Sequence, residues 1–360
     1  MKAQWAGKKV PISYLHEAFF AGKIDRKDNM SLLEILEKRE QYSTYTITPE
    51  HMKFFFKHVV PEFLIHSSAQ DRAQVTDHYD RGNDFFEYFL GETMIYTSGL
   101  FKDKNDTLVE AQKNKLNNIC DKLHLKEGET LLDIGCGWGT LARHAAKHYK
   151  AKATGVTISK EQLAYHKKKC EEDKVEGAEL ILMDYREIPN KKYDKISCVE
   201  MSEHVGILKY RAFMKQVHEL LEDDGLFYLQ IAGLRMTTHI EDIVWGFFMD
   251  KYIFPGADAS LPLTFPISQL ERAGFEVQSV KTIGIHYSIT INRWYDHWVS
   301  NKEKIISNPK YGQKWYRIWE WFLAWSTIIA RQGNSTCYQI IAHKNRNEFP
   351  RDQWVSETWI

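Results

Sequence analysis

T-L-L-D-I-G-C-G-W-G-T, residues 130–140, reads as a buried strand that runs into a glycine-rich turn and then a helix. Leu131, Leu132 and Ile134 supply the apolar face of the strand, and Asp133 closes it. Gly135, Gly137 and Gly139 form a G-x-G-x-G turn at which backbone can come close to a ligand. Turns of this kind serve several nucleotide-binding chemistries, and some tight turns of the same composition bind nothing. The flanking sequence decides between these uses.

Downstream the pattern alternates. A helix over Leu141 to Tyr149 leads to a strand over Ala153 to Thr157, and a helix over Lys160 to Glu172 leads to a strand over Glu179 to Met183, closed by Asp184. A strand over Lys195 to Glu200 precedes a helix over Leu208 to Glu222 and a strand over Leu226 to Ile231. Strands alternating with helices of this length indicate βαβ units, a parallel sheet and ligands at the carboxyl ends of its strands. The aromatic-rich run Trp245 to Pro255 interrupts the alternation. A helix over Pro266 to Ala273 and a strand over Phe275 to Gly284 resume it. Two helices, over Ile289 to Ile306 and Trp315 to Ile329, then separate that strand from a last one over Thr336 to His343.

Upstream, residues 1–70 read as a helical extension. One helix falls within Pro11 to Ala21; a second is capped by Ser31 with Glu34 three residues on, a capping-box pattern. A third, over Pro49 to Ile65, could lie on a membrane surface, although its low basic content suits packing against the main domain better. The cluster His78, Tyr79, Asp80, Asn83 and Asp84 is too polar for a core helix and suggests a binding edge. A further helix spans Asp106 to Leu123. The main domain is placed at 71–344, with insertions near 234–265 and 286–332, followed by a polar tail over 345–360.

Composition narrows the partners. Lys plus Arg number 48 and Asp plus Glu number 48, so no net field gathers nucleic acid. The five cysteines include no C-x-x-C pair, which predicts reduced thiols in a cytoplasmic setting and no metal site. No secretory signal is expected, and the most apolar run, Trp321 to Ala330, is too short to cross a bilayer. Peripheral contact with a membrane and a homo-oligomer both stay open.

The glycine turn, the five repeats of strand, loop and helix, and Asp184 at the end of the third strand resemble the class I S-adenosylmethionine-dependent methyltransferases. That likeness implies an α/β, Rossmann-like fold with a seven-stranded, mostly parallel sheet. H-Y-D-R-G-N-D-F-F, L-L-D-I-G-C-G-W-G, G-V-T-I-S-K-E-Q, M-D-Y-R, E-H-V-G and Y-I-F-P-G together look like the cyclopropane fatty-acid synthase and mycolic-acid methyltransferase group. M-I-Y-T-S-G, L-L-E-D-D-G-L-F-Y-L-Q-I-A-G-L-R, F-P-G-A-D-A-S, W-Y-R-I-W-E and I-I-A-R-Q-G are similar to the fungal sphingolipid C9-methyltransferases. The resemblance runs from about Val75 to about His343; the membrane spans of the fungal enzymes have no counterpart in it.

The resemblance implies S-adenosylmethionine as methyl donor. Gly135, Gly137 and Gly139 would pass close to its methionyl part with Asp133 supporting the turn. Thr157, Ser159 and Gln162 would meet its ribose, and Asp184 its adenine amino group, with Tyr185 and Arg186 beside it. Tyr79, Tyr96 and Ser98 would close over it. The implied acceptor is an alkene on a lipid chain. Its methylation leaves a carbocation, for which Trp245, Phe247, Phe248, Tyr252 and Phe254 are candidate aromatic faces.

Glu203 and His204 follow the fourth strand; in the cyclopropane synthases the matching Glu and a Tyr that aligns with Tyr287 help hold a bicarbonate ion that takes the proton. Two other positions of that bicarbonate site differ, the family Cys falling at Ser98 and the family His at Gln230, as in the sphingolipid enzymes, which make a methyl-branched alkene; a methyl-branched and a cyclopropane product both stay open. Two other readings stand beside this one. The same scaffold methylates small amines through a Glu-His pair, and a third possibility is a protein that binds S-adenosylmethionine without turning it over.

Overall fold

A computed structural model describes residues 7–27, 30–61, 81–255 and 261–348. Three short helices open the chain: α1 (Ile12–Phe20), α2 (Leu32–Glu37) and α3 (Pro49–Phe54). Ser31 caps α2, accepting from the Glu34 backbone N–H while Glu34 reaches back to Ser31. That reciprocal pair is worth about 1 kcal/mol of helix stability. A two-residue parallel pairing of Val10–Pro11 with Ser43–Thr44 ties the segment together. α3 continues as a π turn over Phe55–Val59, where the sequence suggests one uninterrupted helix. Helices α4 (Asn83–Leu90) and α5 (Leu108–Lys122) lead to the sheet.

The sheet is built from β1 (Thr130–Ile134), β2 (Lys152–Thr157), β3 (Ala178–Leu182), β4 (Tyr193–Val199), β5 (Leu221–Leu234), β6 (Phe275–Thr282) and β7 (Ser335–Lys344). In spatial order it runs β3-β2-β1-β4-β5-β7-β6. The pairings from β3 across to β5 are parallel, and β7 lies antiparallel between β5 and β6. α6 (Thr140–Tyr149), α7 (Lys160–Asp173) and α8 (Ile207–Leu220) make the crossovers. β5 is longer than its apolar run suggests because it pairs along its length with β7, from Leu226 opposite His343 to Leu234 opposite Ser335. The order reverses between β1 and β4, and this switch point is where an open α/β sheet places its ligands.

Beyond β5 come α9 (Ile240–Tyr252), α10 (Thr264–Arg272), α11 (Gly284–Ser300), α12 (Lys302–Ser307) and α13 (Gly312–Arg331). The aromatic run that interrupts the alternation is most of α9. α13 is buried along nearly its whole length from Tyr316 to Ala330, and it carries the core shared with α1, α2, α4, α9 and α11. No helix among the described residues is long and apolar enough to cross a membrane.

Two arginines inside this helical layer are held by buried acceptors. The Arg39 guanidinium donates to Glu241 at 2.7 Å, and the Trp325 indole donates to the same carboxylate oxygen at 3.1 Å. Arg317 donates to the Phe19 carbonyl at 2.7 Å, fastening α1 to α13. Removing one member of such a buried pair costs about 3–5 kcal/mol, so these contacts fix how the N-terminal helices sit on the rest.

Candidate active site

The glycine turn leaves β1 toward a cavity of about 170 Å³ at the switch point. Gly135 adopts φ +73°, and a Cβ there would stand 2.2 Å from Met201 Cγ, so only glycine fits between the turn and the segment that follows β4. Gly137, at φ +54°, has open space where a Cβ would be and lines the cavity. Gly139 serves the packing behind it: a Cβ would strike His166 Nδ1 at 2.3 Å. It therefore brings α6 close to its neighbours and does not reach the cavity wall, contrary to the role the sequence suggests.

Asp133 is buried at the floor and accepts from the Ser197 hydroxyl at 2.8 Å, an interaction set by the β1–β4 register that places the two side by side. Burial pushes its pKa up to about 6, against the pull of Ser197 and of Lys115. Lys115 from α5, which sequence reasoning misses, also lines the cavity and donates to Thr97 Oγ1 at 2.5 Å. Burial lowers its pKa to about 8, opposed chiefly by the charge of Glu200.

At the second strand Thr157 donates to Gln162 Oε1 at 2.6 Å, and Ser159 caps α7 by accepting from the Gln162 backbone N–H at 3.4 Å. All three line the cavity, where an acidic residue would be the common choice for a ribose. Asp184, Tyr185 and Arg186 form the next wall. Asp184 is both the cap of the turn over Tyr185–Glu187 and the partner of Arg186, whose Nε and Nη2 reach its two oxygens at 2.8 and 2.7 Å. Tyr96 closes the far side, packed against Phe89 and Trp294 at centroid distances of 5.2 and 5.4 Å. Tyr79 lies outside the described residues.

Several expected site residues stand elsewhere. The Ser98 hydroxyl donates to Gly99 O at 3.1 Å, satisfied by its own loop, so it does not close over the cavity. Asn83 accepts from the Trp138 indole at 2.7 Å, and Asp84 accepts from Tyr311 at 2.8 Å. These two polar side chains anchor aromatic neighbours, and the rest of the expected binding edge, His78, Tyr79 and Asp80, lies outside the described residues. Trp245, Phe248 and Tyr252 point into the layer under the N-terminal helices; Phe248 stacks near His16 and Trp325, and the Tyr252 hydroxyl donates to Glu17. Phe247 stacks on His51 at 5.1 Å. Of the acceptor-side aromatics only Phe254 approaches the site, with its ring 6.0 Å from Tyr96 and 6.3 Å from His204.

The chemical end of the cavity differs most from expectation. His204 lines it, whereas Glu203 sits behind the wall with Oε1 accepting from the Ala232 N–H at 2.6 Å and Oε2 buried without a partner. Burial, reinforced by the charge of Glu200, pushes Glu203 up to about 8, so it is mostly protonated at neutral pH. Gln230 is fully buried and Tyr287 half-buried, and neither lines this cavity. The carboxylate that does line the cavity is Glu200. It stands at the carboxyl end of β4, one step past the strand, and that position in a parallel sheet was the signal available in V-E-M-S-E-H.

Such an arrangement suits group transfer: a glycine turn that admits a ligand against backbone, polar walls for a nucleoside, and carboxylate and imidazole at the opposite end. The residues present fit S-adenosylmethionine, with Gly135 and Gly137 making room along the turn and Asp184 and Gln162 presenting polar groups where a nucleoside would lie.

Comparison with known proteins agrees. The family model described as mycolic acid cyclopropane synthetase matches residues 66–340. The chain is 48% identical over 369 aligned residues to a sphingolipid C9-methyltransferase of Komagataella phaffii, covering 99% of this chain and 75% of that protein. It is 35% identical to the cyclopropane-fatty-acyl-phospholipid synthase of Escherichia coli, over 76% of this chain and 69% of the relative. Its fold superposes on the crystal structure of mycolic acid cyclopropane synthase CmaA1 complexed with SAH and CTAB with a TM-score of 0.71 and 27% identity, covering 76% of this chain and 98% of that one. The chain therefore belongs to the mycolic acid cyclopropane synthetase family and is an S-adenosylmethionine-dependent methyltransferase.

Proposed function

We propose that the enzyme methylates an alkene carbon of an unsaturated lipid, with a sphingoid chain as its acceptor, and releases a methyl-branched alkene. The observation that carries this reading is the 48% identity to a sphingolipid C9-methyltransferase, which extends over 99% of the chain. S-adenosylmethionine supplies an activated methyl group. The chain's own residues hold the acceptor in line and exclude water, a positioning effect that can lower a barrier by roughly 7–11 kcal/mol. Gly135, Gly137, Thr157, Gln162 and Asp184 hold the donor side, and Tyr96, Phe254 and His204 bound the acceptor side. The faces of Tyr96 and Phe254 stabilise positive charge on the lipid chain by up to about 2 kcal/mol each in this water-poor setting.

The acceptor reaches the enzyme from a membrane surface. Met52, Phe56, Met236, Ile240 and Ile243 are exposed, and the stacking of His51 on Phe247 joins the helices α3 and α9 that carry most of them. Exposed apolar residues gathered this way suit peripheral contact with lipid.

Purified protein, methyl-labelled S-adenosylmethionine and vesicles containing a sphingolipid with an unsaturated base test the reading. Label should enter lipid, and each methyl transferred from unlabelled donor should add about 14 mass units. Mild hydrogenation should then reduce the product, as a branched alkene and not a ring. Label confined to water-soluble amines would overturn the proposal.

A further inference from the structure

Methylating an alkene and ending at an alkene requires a base, and the structure offers one that is already in place. Glu200 has φ +51°, a left-handed conformation uncommon outside glycine and the kind of local strain that collects at functional sites. That backbone turn is held by the Glu200 N–H donating to Gln230 O at 2.7 Å. One carboxylate oxygen, Oε1, collects three donors: the Ser98 backbone N–H at 2.8 Å, Gln230 Nε2 at 2.6 Å and the Cys337 thiol at 3.6 Å. Gln230 is itself held by the Tyr228 hydroxyl at 2.8 Å and Gln339 Nε2 at 3.2 Å. All three of these donors converge on Oε1, and Glu200 lines the cavity, where its other oxygen, Oε2, accepts no hydrogen bond found among the described residues. The carboxylate is thus clamped by one oxygen and presents the other to the reaction space.

We propose that Glu200 is the proton acceptor of the reaction, its side-chain carboxylate standing where a bicarbonate ion would otherwise be needed. Bicarbonate does not fit the residues present. The donors offered at Ser98 and Gln230 are both taken by Glu200 Oε1, and the Glu203 oxygen that lacks a partner is sealed behind the wall. This inference rests on the lipid C-methylation reading. As the π electrons of the alkene form the new carbon–carbon bond, the carbon–sulfur bond of the donor breaks and positive charge settles on the neighbouring chain carbon. Loss of a proton from the next carbon to Glu200 Oε2 restores a double bond, and S-adenosylhomocysteine and the methyl-branched chain leave. The proton passes to solvent before the next turnover. Neutral Glu203 behind the wall and Tyr287, whose hydroxyl is kept protonated by burial and by the charge of Glu200, make no competing bases.

The test uses the full chain with sphingolipid vesicles in carbonate-free buffer. Wild-type protein should work at the same rate with and without added bicarbonate. Glu200→Gln should lose at least about 100-fold in rate, the scale of general acid–base catalysis, with S-adenosylmethionine affinity within about twofold of wild type. Glu200→Gly, which accepts the backbone conformation and frees the Ser98 and Gln230 donors, should recover rate on addition of formate. A wild-type rate that requires bicarbonate, a Glu200→Gln rate within about tenfold of wild type, or no recovery of Glu200→Gly by formate would overturn the assignment. Absence of any lipid product from wild-type protein would instead overturn the lipid reading, and this assignment with it.

Discussion

Gly137→Ala separates a glycine needed by the ligand from a glycine needed by the fold. At φ +54° an added Cβ meets no protein atom within 4 Å, but Gly137 lines the cavity. The left-handed backbone costs an alanine about 1–2 kcal/mol. A chain of this length loses about 0.76 kcal/mol per degree in unfolding entropy at roughly 2.1 cal/mol/K per residue, so the melting temperature should fall by only about 1–3 °C. The methyl group occupies space that the donor requires, and S-adenosylmethionine affinity should drop at least about tenfold, or ~1.4 kcal/mol. Gly128→Ala is the control, because it carries the same kind of strain at φ +83° with nothing within 4 Å, in the exposed turn before β1. It should melt slightly lower and bind the donor normally. Gly135→Ala adds a collision with Met201 and should lose roughly a further 1–3 kcal/mol of stability. Titration calorimetry and thermal melts of the three variants decide the matter. Equal donor affinity in Gly137→Ala, Gly128→Ala and wild type would refute the placement of the donor along the turn.

Two further outcomes follow from the buried charges. His16 is enclosed by Phe20, Phe248, Tyr252 and Trp321, and burial lowers its pKa from 6.5 to about 3. The unfolded chain takes up a proton that the folded one refuses, so this contribution is complete above the unfolded pKa and is lost as pH falls toward the folded one. At one unit below the unfolded pKa the loss amounts to about 1.4 kcal/mol. His16→Leu should flatten that part of the stability profile, and parallel urea-denaturation curves for both proteins between neutral and mildly acid pH would contradict it. Arg39→Met should cost about 3–5 kcal/mol by stranding Glu241, whereas Arg39→Met with Glu241→Leu should recover most of it. A single-variant loss below about 1 kcal/mol would show that the pair does not hold the turn after α2 to α9.

Some of this molecule is local in origin and readable from the chain. The Ser31–Glu34 capping box and the β1 strand with its turn depend on neighbours within a few positions, so periodicity and spacing predict them. The alternation of strands and helices likewise determines a parallel sheet and its ligand edge, because right-handed crossovers leave few other arrangements. The antiparallel β7 and the added length of β5 are pairings between segments about a hundred residues apart, which no local pattern encodes.

The chemical end of the site is of that second kind. Glu200 and Glu203 lie three residues apart with the same side chain, and sequence reasoning chooses the wrong one for the cavity wall. What separates them is a left-handed φ at Glu200 and donors brought from β5, β7 and the loop before α5. In the same way, whether an aromatic in the 245–254 run lies by the cavity or in the core depends on tertiary packing: the N-terminal helices cover the face of α9 bearing Phe248, while Phe254, just past the end of α9, lies beside His204. The sequence by itself determined an open α/β fold and where its ligand edge must be, since those follow from short-range stereochemistry, and its family resemblance supplied the methyl donor. The tertiary structure alone decided which carboxylate lines the cavity, since a side chain's direction at a strand end is set by contacts from distant segments.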